Sequence, residues 1–278
     1  MQFYGRASNA LAGPLRRVIG SEVMKIIDFF SRHVVDSPGE SGNRTQVTGD
    51  RFEEARREMV GRQIRARGIH SLPVLDAMAS VPRHLFVPPG HVAEAYTDSP
   101  LAIGAGQTIS QPYMVAAMAD ALLLNGTEKV LEVGGGSGYQ AAVLSLLARE
   151  VIAVESQSVL ADAALERLTH LGYRNVRIET GDGSIGWIAD APYDAILVTA
   201  GAPAIPPPLI EQLAEGGRLV IPIGPAEQQE LVRVVKRDGC VSKESLLACR
   251  FVPLVGRHGW SSGNDSTSRA RNSETARG

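Results

Sequence analysis

Apolar residues recur along this chain with two periods, and the change from one to the other divides it. From residue 51 the spacing is helical. Phe52, Ala55, Met59 and Ile64 stand among charged residues and predict an amphipathic helix over 51–67, stopped by Gly68. A shorter helix is expected over 72–79. A third is expected over 112–124, with Pro112 in the first turn, where a missing N–H is tolerated. From Lys129 on, short apolar runs alternate with helical stretches. Strands are expected over 129–133, 151–155, 175–180, 193–199, 218–223, 230–236 and 245–251, and helices over 137–148, 158–171 and 207–214. Strands that are apolar throughout are buried on both faces, and intervening helices imply crossover connections. The pattern therefore predicts an α/β fold, a doubly wound, mainly parallel seven-stranded sheet preceded by N-terminal helices. Little but Arg237-Asp238-Gly239 separates the last two strands, which predicts an antiparallel hairpin at the sheet edge.

The two ends lack this regularity. Residues 1–50 show a weak helical pattern at Val23, Ile26, Ile27, Phe29 and Phe30, then Ser37-Pro38-Gly39-Glu40-Ser41-Gly42-Asn43, a loop by composition. No continuous apolar core leads to a small-residue cleavage site, which argues against a signal peptide. This stretch is expected to be a poorly ordered extension or an over-long gene start, with Met24 and Met59 as alternative starts. Residues 257–278 are rich in Ser, Arg, Asn and Gly, with Trp260 their one large apolar residue, and a disordered tail is expected there. One domain over 51–256 remains, of a size usual for a single α/β unit.

Composition narrows the function. The 278 residues carry 28 basic and 30 acidic side chains, a net charge of −2, so there is no basic nucleic-acid footprint. The two cysteines, Cys240 and Cys249, exclude a disulfide-rich scaffold and lack metal-ligand spacing; free thiols and no metal site are expected. No apolar run approaches the roughly 18 residues of a membrane span. A cytoplasmic monomer, partnered by neither nucleic acid nor membrane, is the expectation.

The first strand runs into Leu131-Glu132-Val133-Gly134-Gly135-Gly136-Ser137-Gly138-Tyr139. A glycine-rich strand-to-helix turn lets backbone approach a ligand, and the helix N-terminus beyond it favours an anionic group. A dinucleotide fits Gly136-Ser137-Gly138-Tyr139-Gln140-Ala141 as the G-x-G-x-x-A variant, with Glu155 placed for the ribose. S-adenosyl-L-methionine fits as well, because its ammonium would welcome Glu132, an acid that would repel a pyrophosphate. A tight turn with no ligand is the bland alternative. Asp182, between Gly181 and Gly183, falls at a third strand end; it is either a turn residue or an acceptor for an adenine amino group. Glu132, Glu155 and Asp182 together mark the carboxyl edge of the sheet, where open α/β sheets bind ligands.

Upstream lies Gly106-Gln107-Thr108-Ile109-Ser110-Gln111-Pro112. Thr108 and Ser110 are candidate caps for the helix at Pro112. The alternative places Ser110 over the methyl donor, against the acceptor. No G-x-S-x-G elbow surrounds Ser110, and neither His84 nor His91 sits in a base motif, so a triad is not indicated.

With these motifs, the chain resembles the protein-L-isoaspartate (D-aspartate) O-methyltransferases over roughly 52–256. The resemblance rests on Met59-Val60-Gly61-Arg62-Gln63-Ile64, Val81-Pro82-Arg83-His84-Leu85-Phe86-Val87, the Gln107–Pro112 element, the glycine turn, Gly181-Asp182-Gly183, the strand from Tyr193 to Ala200, and Arg250-Phe251-Val252-Pro253-Leu254-Val255. Gly135 departs from it, standing where the family usually has Thr. The resemblance implies a Rossmann-like fold, S-adenosyl-L-methionine as cofactor, and L-isoaspartyl residues of damaged proteins and peptides as substrate. It implies Ser110 as the active-site serine, and cofactor contacts from Glu132, Gly134, Gly136, Gly138, Glu155, Asp182 and Gly183. Thr108, Gln111, Val252 and Pro253 would meet the substrate. Another methyl acceptor, or a cofactor-binding homologue made inactive through Gly135, stand as alternatives; a nicotinamide dehydrogenase is disfavoured by Glu132.

Overall fold

A computed structural model describes residues 45–261; the apolar pattern at Val23–Phe30 and the tail beyond Ser261 lie outside the described residues. The first helix, α1 (Thr45–Glu58), starts ahead of the expected residue 51. It does not run on as an α-helix to 67. A π-helical turn, Met59–Ile64, and a 3-10 turn, Arg65–Arg67, complete it before Gly68 stops it at φ 96°. The widened turn buries Met59 and Ile64. Helix α2 (Leu72–Ser80) follows. A hairpin that the pattern does not announce comes next, β1 (Leu101–Gly104) and β2 (Gln107–Ile109), turning through Gly104, Ala105 and Gly106, all at positive φ. It leads into α3 (Pro112–Ala121).

The doubly wound unit comprises β3 (Lys129–Val133), α4 (Tyr139–Ser145), β4 (Glu150–Glu155), α5 (Ser158–His170), β5 (Val176–Thr180), β6 (Tyr193–Val198), α6 (Pro207–Glu211) and β7 (Leu213–Ile223). β8 (Gln229–Arg237) and β9 (Cys240–Cys249) close the sheet. Its order is β5-β4-β3-β6-β7-β8-β9, parallel through β7 and antiparallel for the last two pairings. The seven-stranded α/β sheet with its edge hairpin is thus as expected, but several bounds move, the most at the starts of β7 and β9. Helix α6 is short, because the chain turns into β7 already at Leu213, opposite Tyr193. Strand β9 begins at Cys240 instead of 245, because Asp238 and Gly239, both at positive φ, reverse the chain within two residues. Its first half is polar because it is an exposed edge strand, and an exposed edge lacks the apolar run by which a strand is recognised.

Alternation along each central strand sorts its side chains to opposite faces. Val130, Ala195, Leu197 and Val220 join Met78, Met118 and Leu144 in one buried cluster. Leu131, Ile196, Val198, Leu219 and Ile221 join Leu209 and Leu213 in the other. Burial on both faces explains why the strands read as continuous apolar runs. Successive strands run outward from β3 in one direction and from β6 in the other, so the crevice at the carboxyl ends opens between these two neighbours.

Candidate functional site

The glycine turn sits at that switch point. Gly134, Gly136 and Gly138 take φ of 99°, 50° and 83°, a region L side chains rarely adopt. The N–H of Gly134 donates to Val154 O at 2.8 Å, and that of Gly136 to Glu155 Oε2 at 2.8 Å, which ties the turn to the end of β4. Glu155 Oε1 accepts from Gln157 N at 2.9 Å. The carboxylate is therefore held in place at the rim of the turn. Gly138 serves the packing of the next layer. A Cβ there would press on Ala164 and Leu168 of α5, so glycine lets helix and turn come close. Gly135 is not left-handed, and a Cβ there would meet Ala153 and Glu155 at an ordinary 3.6 Å. The departure from the family pattern removes a side chain without altering what shapes the turn.

Two cavities meet beside it. One, of about 350 Å³, runs along the carboxyl ends of β3 and β4 and is lined by Gly134, Gly136, Glu155, Gly183 and Thr108. The other, of about 470 Å³, is lined by Ser110, Gln111, Met114, Arg250 and again Thr108. Thr108, Thr199, Val252 and Pro253 belong to both and form the junction. Val252 and Leu254 are fixed there by pairing with Gly201, through Gly201 N to Val252 O and Leu254 N to Gly201 O, each 2.8 Å.

A third, small cavity of about 40 Å³ beneath the turn joins Ser110, Glu132, Gly134 and Gln140. Glu132 is 0% exposed, and neither carboxyl oxygen has a hydrogen-bond partner among the described residues. Burial, and after it the Glu155 carboxylate, push its pKa well above the usual carboxylate range. A buried acid left without a donor beside a cavity fits a cationic ligand group. Glu132 and Glu155 are the residues here that could hold a ligand carrying a cation and hydroxyls, as S-adenosyl-L-methionine does.

The remaining expected residues fall as follows. The position capping α3 is Gln111, whose side chain makes no capping bond, so neither Thr108 nor Ser110 is used as a cap. The Ser110 hydroxyl makes no hydrogen bond among the described residues and is left to the cavities. Asp182 does not line them. Its Oδ1 accepts from Ser184 N at 2.9 Å and Ser184 Oγ at 2.6 Å, and its Oδ2 from Arg257 N at 2.8 Å. Burial alone would raise its pKa, but these donors outweigh it and lower the value. Asp182 caps the 3-10 turn Gly183–Ile185 and anchors the chain beyond Gly256. Trp260, expected in a tail, is a correction: its Nε1 donates to Gly201 O at 3.0 Å and its N to Leu254 O at 2.7 Å. Thr199 and Gln140 escape a reading of the sequence alone. Thr199 is the last residue but one of the Tyr193–Ala200 motif, and Gln140 follows the glycine turn; those positions are the available signals.

Known proteins share this layout. The family model for protein-L-isoaspartate(D-aspartate) O-methyltransferase matches residues 54–259. A protein-L-isoaspartate O-methyltransferase 2 of Geotalea uraniireducens is 58% identical over 208 residues, 74% of this chain and 96% of the relative. The protein-L-isoaspartate O-methyltransferase of Syntrophus aciditrophicus is 54% identical over 215 residues, 76% of this chain and 99% of the relative. Among solved structures, one protein-L-isoaspartate O-methyltransferase superposes with a TM-score of 0.67 at 30% identity, covering 73% of this chain and 67% of the other. Another, from Plasmodium falciparum and in complex with S-adenosyl-L-homocysteine, gives 0.62 at 26% identity, covering 72% and 98%. The matched span contains every residue of the two joined cavities from Gly134 to Pro253 and the hairpin before them, and the chain belongs to the protein-L-isoaspartate(D-aspartate) O-methyltransferase family.

Proposed function

We propose that the chain carries out its family's reaction, methyl transfer to the free carboxyl of L-isoaspartyl residues in damaged proteins and peptides, at the junction of the two cavities. The observation that carries this reading is the shared wall. Thr108, Thr199, Val252 and Pro253 border both the cavity under the glycine turn and the cavity holding Ser110. When bound, S-adenosyl-L-methionine supplies an electrophilic methyl on a sulfonium.

The chain's own residues divide the remaining work. Glu132 receives the ammonium, and Glu155, held by Gly136 N, receives the ribose hydroxyls. Gly134, Gly136 and Gly183 let backbone come close, while Gly138 and Asp182 hold the frame of the cofactor cavity. Ser110 donates its hydroxyl to one oxygen of the acceptor carboxylate and leaves the other free to attack. Thr108 and Gln111 shape the acceptor cavity, and Val252-Pro253 lie along the peptide. A carboxyl with a reference pKa of about 4 is already ionised at neutral pH, so no strong base is needed. Alignment and exclusion of water are what the site provides. The neighbouring backbone amide nitrogen then attacks the methyl ester and displaces methanol to close a succinimide, and hydrolysis of that ring restores some normal aspartate.

The reading includes a cytoplasmic monomer whose methyltransferase domain, expected over 51–256, takes in the segment through Trp260 as well, with neither nucleic acid nor membrane as partner. The chain's net charge of −2 disfavours a nucleic-acid partner, and no helix of the described residues is long and apolar enough to cross a membrane. Incubation with tritiated S-adenosyl-L-methionine and an isoaspartyl peptide is expected to give a base-labile methyl ester. Label no higher than with the matching aspartyl peptide overturns the reading.

A further inference from the structure

The acceptor cavity contains one charged side chain, Arg250. The cavity under the turn contains Glu155, and the small one beneath it Glu132, so Arg250 is the one cation on any of the three. Its backbone is held on both sides. Cys249 pairs with Gln229 in the sheet, and Phe251 N donates to Gln229 Oε1 at 2.7 Å. Its guanidinium is exposed and makes no hydrogen bond or ion pair among the described residues. A fixed root with an unengaged cation at the mouth of an acceptor cavity is a recognition element whose partner comes from outside the chain.

That partner is not the reacting carboxylate. The reacting group has to reach Ser110 and the shared wall, and a guanidinium fork on it would occupy the lone pairs that attack the methyl. A residue beside the isoaspartyl site, about 3.5 Å further along an extended chain, passes the cavity mouth instead. We propose that Arg250 is a specificity-determining residue that favours isoaspartyl sites flanked by acidic residues over sites flanked by basic ones. The inference rests on the functional reading above, since it presumes a peptide acceptor.

The test uses the full chain and two isoaspartyl peptides of equal length, one with Glu and one with Lys on both sides of the damaged residue. An exposed charge pair is worth a modest ratio, and kcat/KM is expected to favour the acidic peptide about twofold to fivefold at low salt, through KM. Arg250→Gln brings the ratio close to one, Arg250→Glu reverses it, and Arg250→Lys keeps most of it. Added salt shrinks the wild-type ratio. A ratio that survives Arg250→Gln overturns the proposal, as does an equal fall of kcat on both peptides with a lowered Tm, which marks a structural role. Wild-type protein that esterifies neither peptide overturns the functional reading itself, whereas full activity with a flat ratio overturns the role of Arg250 alone.

Discussion

The hydroxyl of Thr199 lies 2.7 Å from the carbonyl oxygen of Gly134 and fills the space a side chain at position 134 would need. The same hydroxyl reaches Val133 O at 3.0 Å, so one proton is shared between two carbonyls across the β3–β6 crevice. An added Cβ on Gly134 overlaps Thr199 Oγ1, and the backbone there, at φ 99°, already excludes most L residues. Gly134→Ala is therefore expected to cost about 1–3 kcal/mol and to weaken S-adenosyl-L-homocysteine binding more than tenfold. Gly135→Ala is the contrasting case. Its Cβ finds ordinary 3.6 Å contacts, so the variant keeps binding and gains about 0.4–1 kcal/mol from a stiffer unfolded chain. Calorimetric titration and thermal melting of the two variants check the pair; equal outcomes contradict this account of the turn.

Glu132 sets stability against binding. Its carboxyl is raised by burial and by Glu155, so the folded state holds the proton more tightly than the unfolded state does. Stability from this group is complete below the unfolded value, near 4.5, and is lost as pH rises through the folded value. Glu132→Gln removes the titration. The ligand-free variant is expected to melt higher than wild type at neutral pH, by roughly 1–3 kcal/mol or about 2–4 °C per kcal/mol, with a flatter dependence on pH. It is also expected to bind S-adenosyl-L-homocysteine about 10- to 100-fold more weakly, having lost a charge-assisted partner for the ammonium. A variant that melts no higher and binds equally well shows that Glu132 has another partner.

Ser110 separates catalysis from architecture. It makes no capping bond to α3 and no hydroxyl hydrogen bond among the described residues, so little in the fold depends on its oxygen. Ser110→Ala is expected to leave the melting temperature and the affinity for S-adenosyl-L-homocysteine unchanged. Loss of one hydrogen bond to a charged acceptor lowers kcat by roughly 10- to 100-fold. An equal loss of turnover and cofactor affinity points to a structural serine.

The sheet and the glycine turn are legible in the sequence because their signals are local. Apolar runs buried on two faces and four glycines each lie within a few adjacent residues, and each of the three acids stands at the end of a recognisable strand. What escapes depends on distant partners. Thr199 matters through Gly134, across the switch point, and no local pattern marks that contact. The β1–β2 hairpin is too short for alternation to register, and its turn reads as a polar loop. Asp182 is legible as a strand-end acid, but not as the anchor of Arg257, because that bond joins two segments with nothing in common in sequence. Trp260 is hidden by the composition around it.

The segment from Arg257 to Trp260 gives the sharpest contrast between composition and contact. Arg257 N donates to Asp182 Oδ2 at 2.8 Å, His258 N to Ser184 Oγ at 2.9 Å, and Trp260 Nε1 to Gly201 O at 3.0 Å. Each bond lands on a loop beside the cavities, and Gly201 is the residue that pairs with Val252 and Leu254. A chain ending at Ser261 keeps all of them and is expected to match the full chain in melting temperature and in kcat/KM. A chain ending at Gly256 strands the acceptors and uncovers the face under Trp260. At about 1 kcal/mol for each of these three bonds and for Trp260 N to Leu254 O, plus the lost indole packing, it is expected to lose roughly 5 kcal/mol, or about 10–20 °C. The loosened Val252-Pro253 wall then raises KM for the isoaspartyl peptide more than it lowers kcat. Thermal melting and steady-state kinetics on the two truncations decide the matter, and indistinguishable behaviour would return Trp260 to the tail.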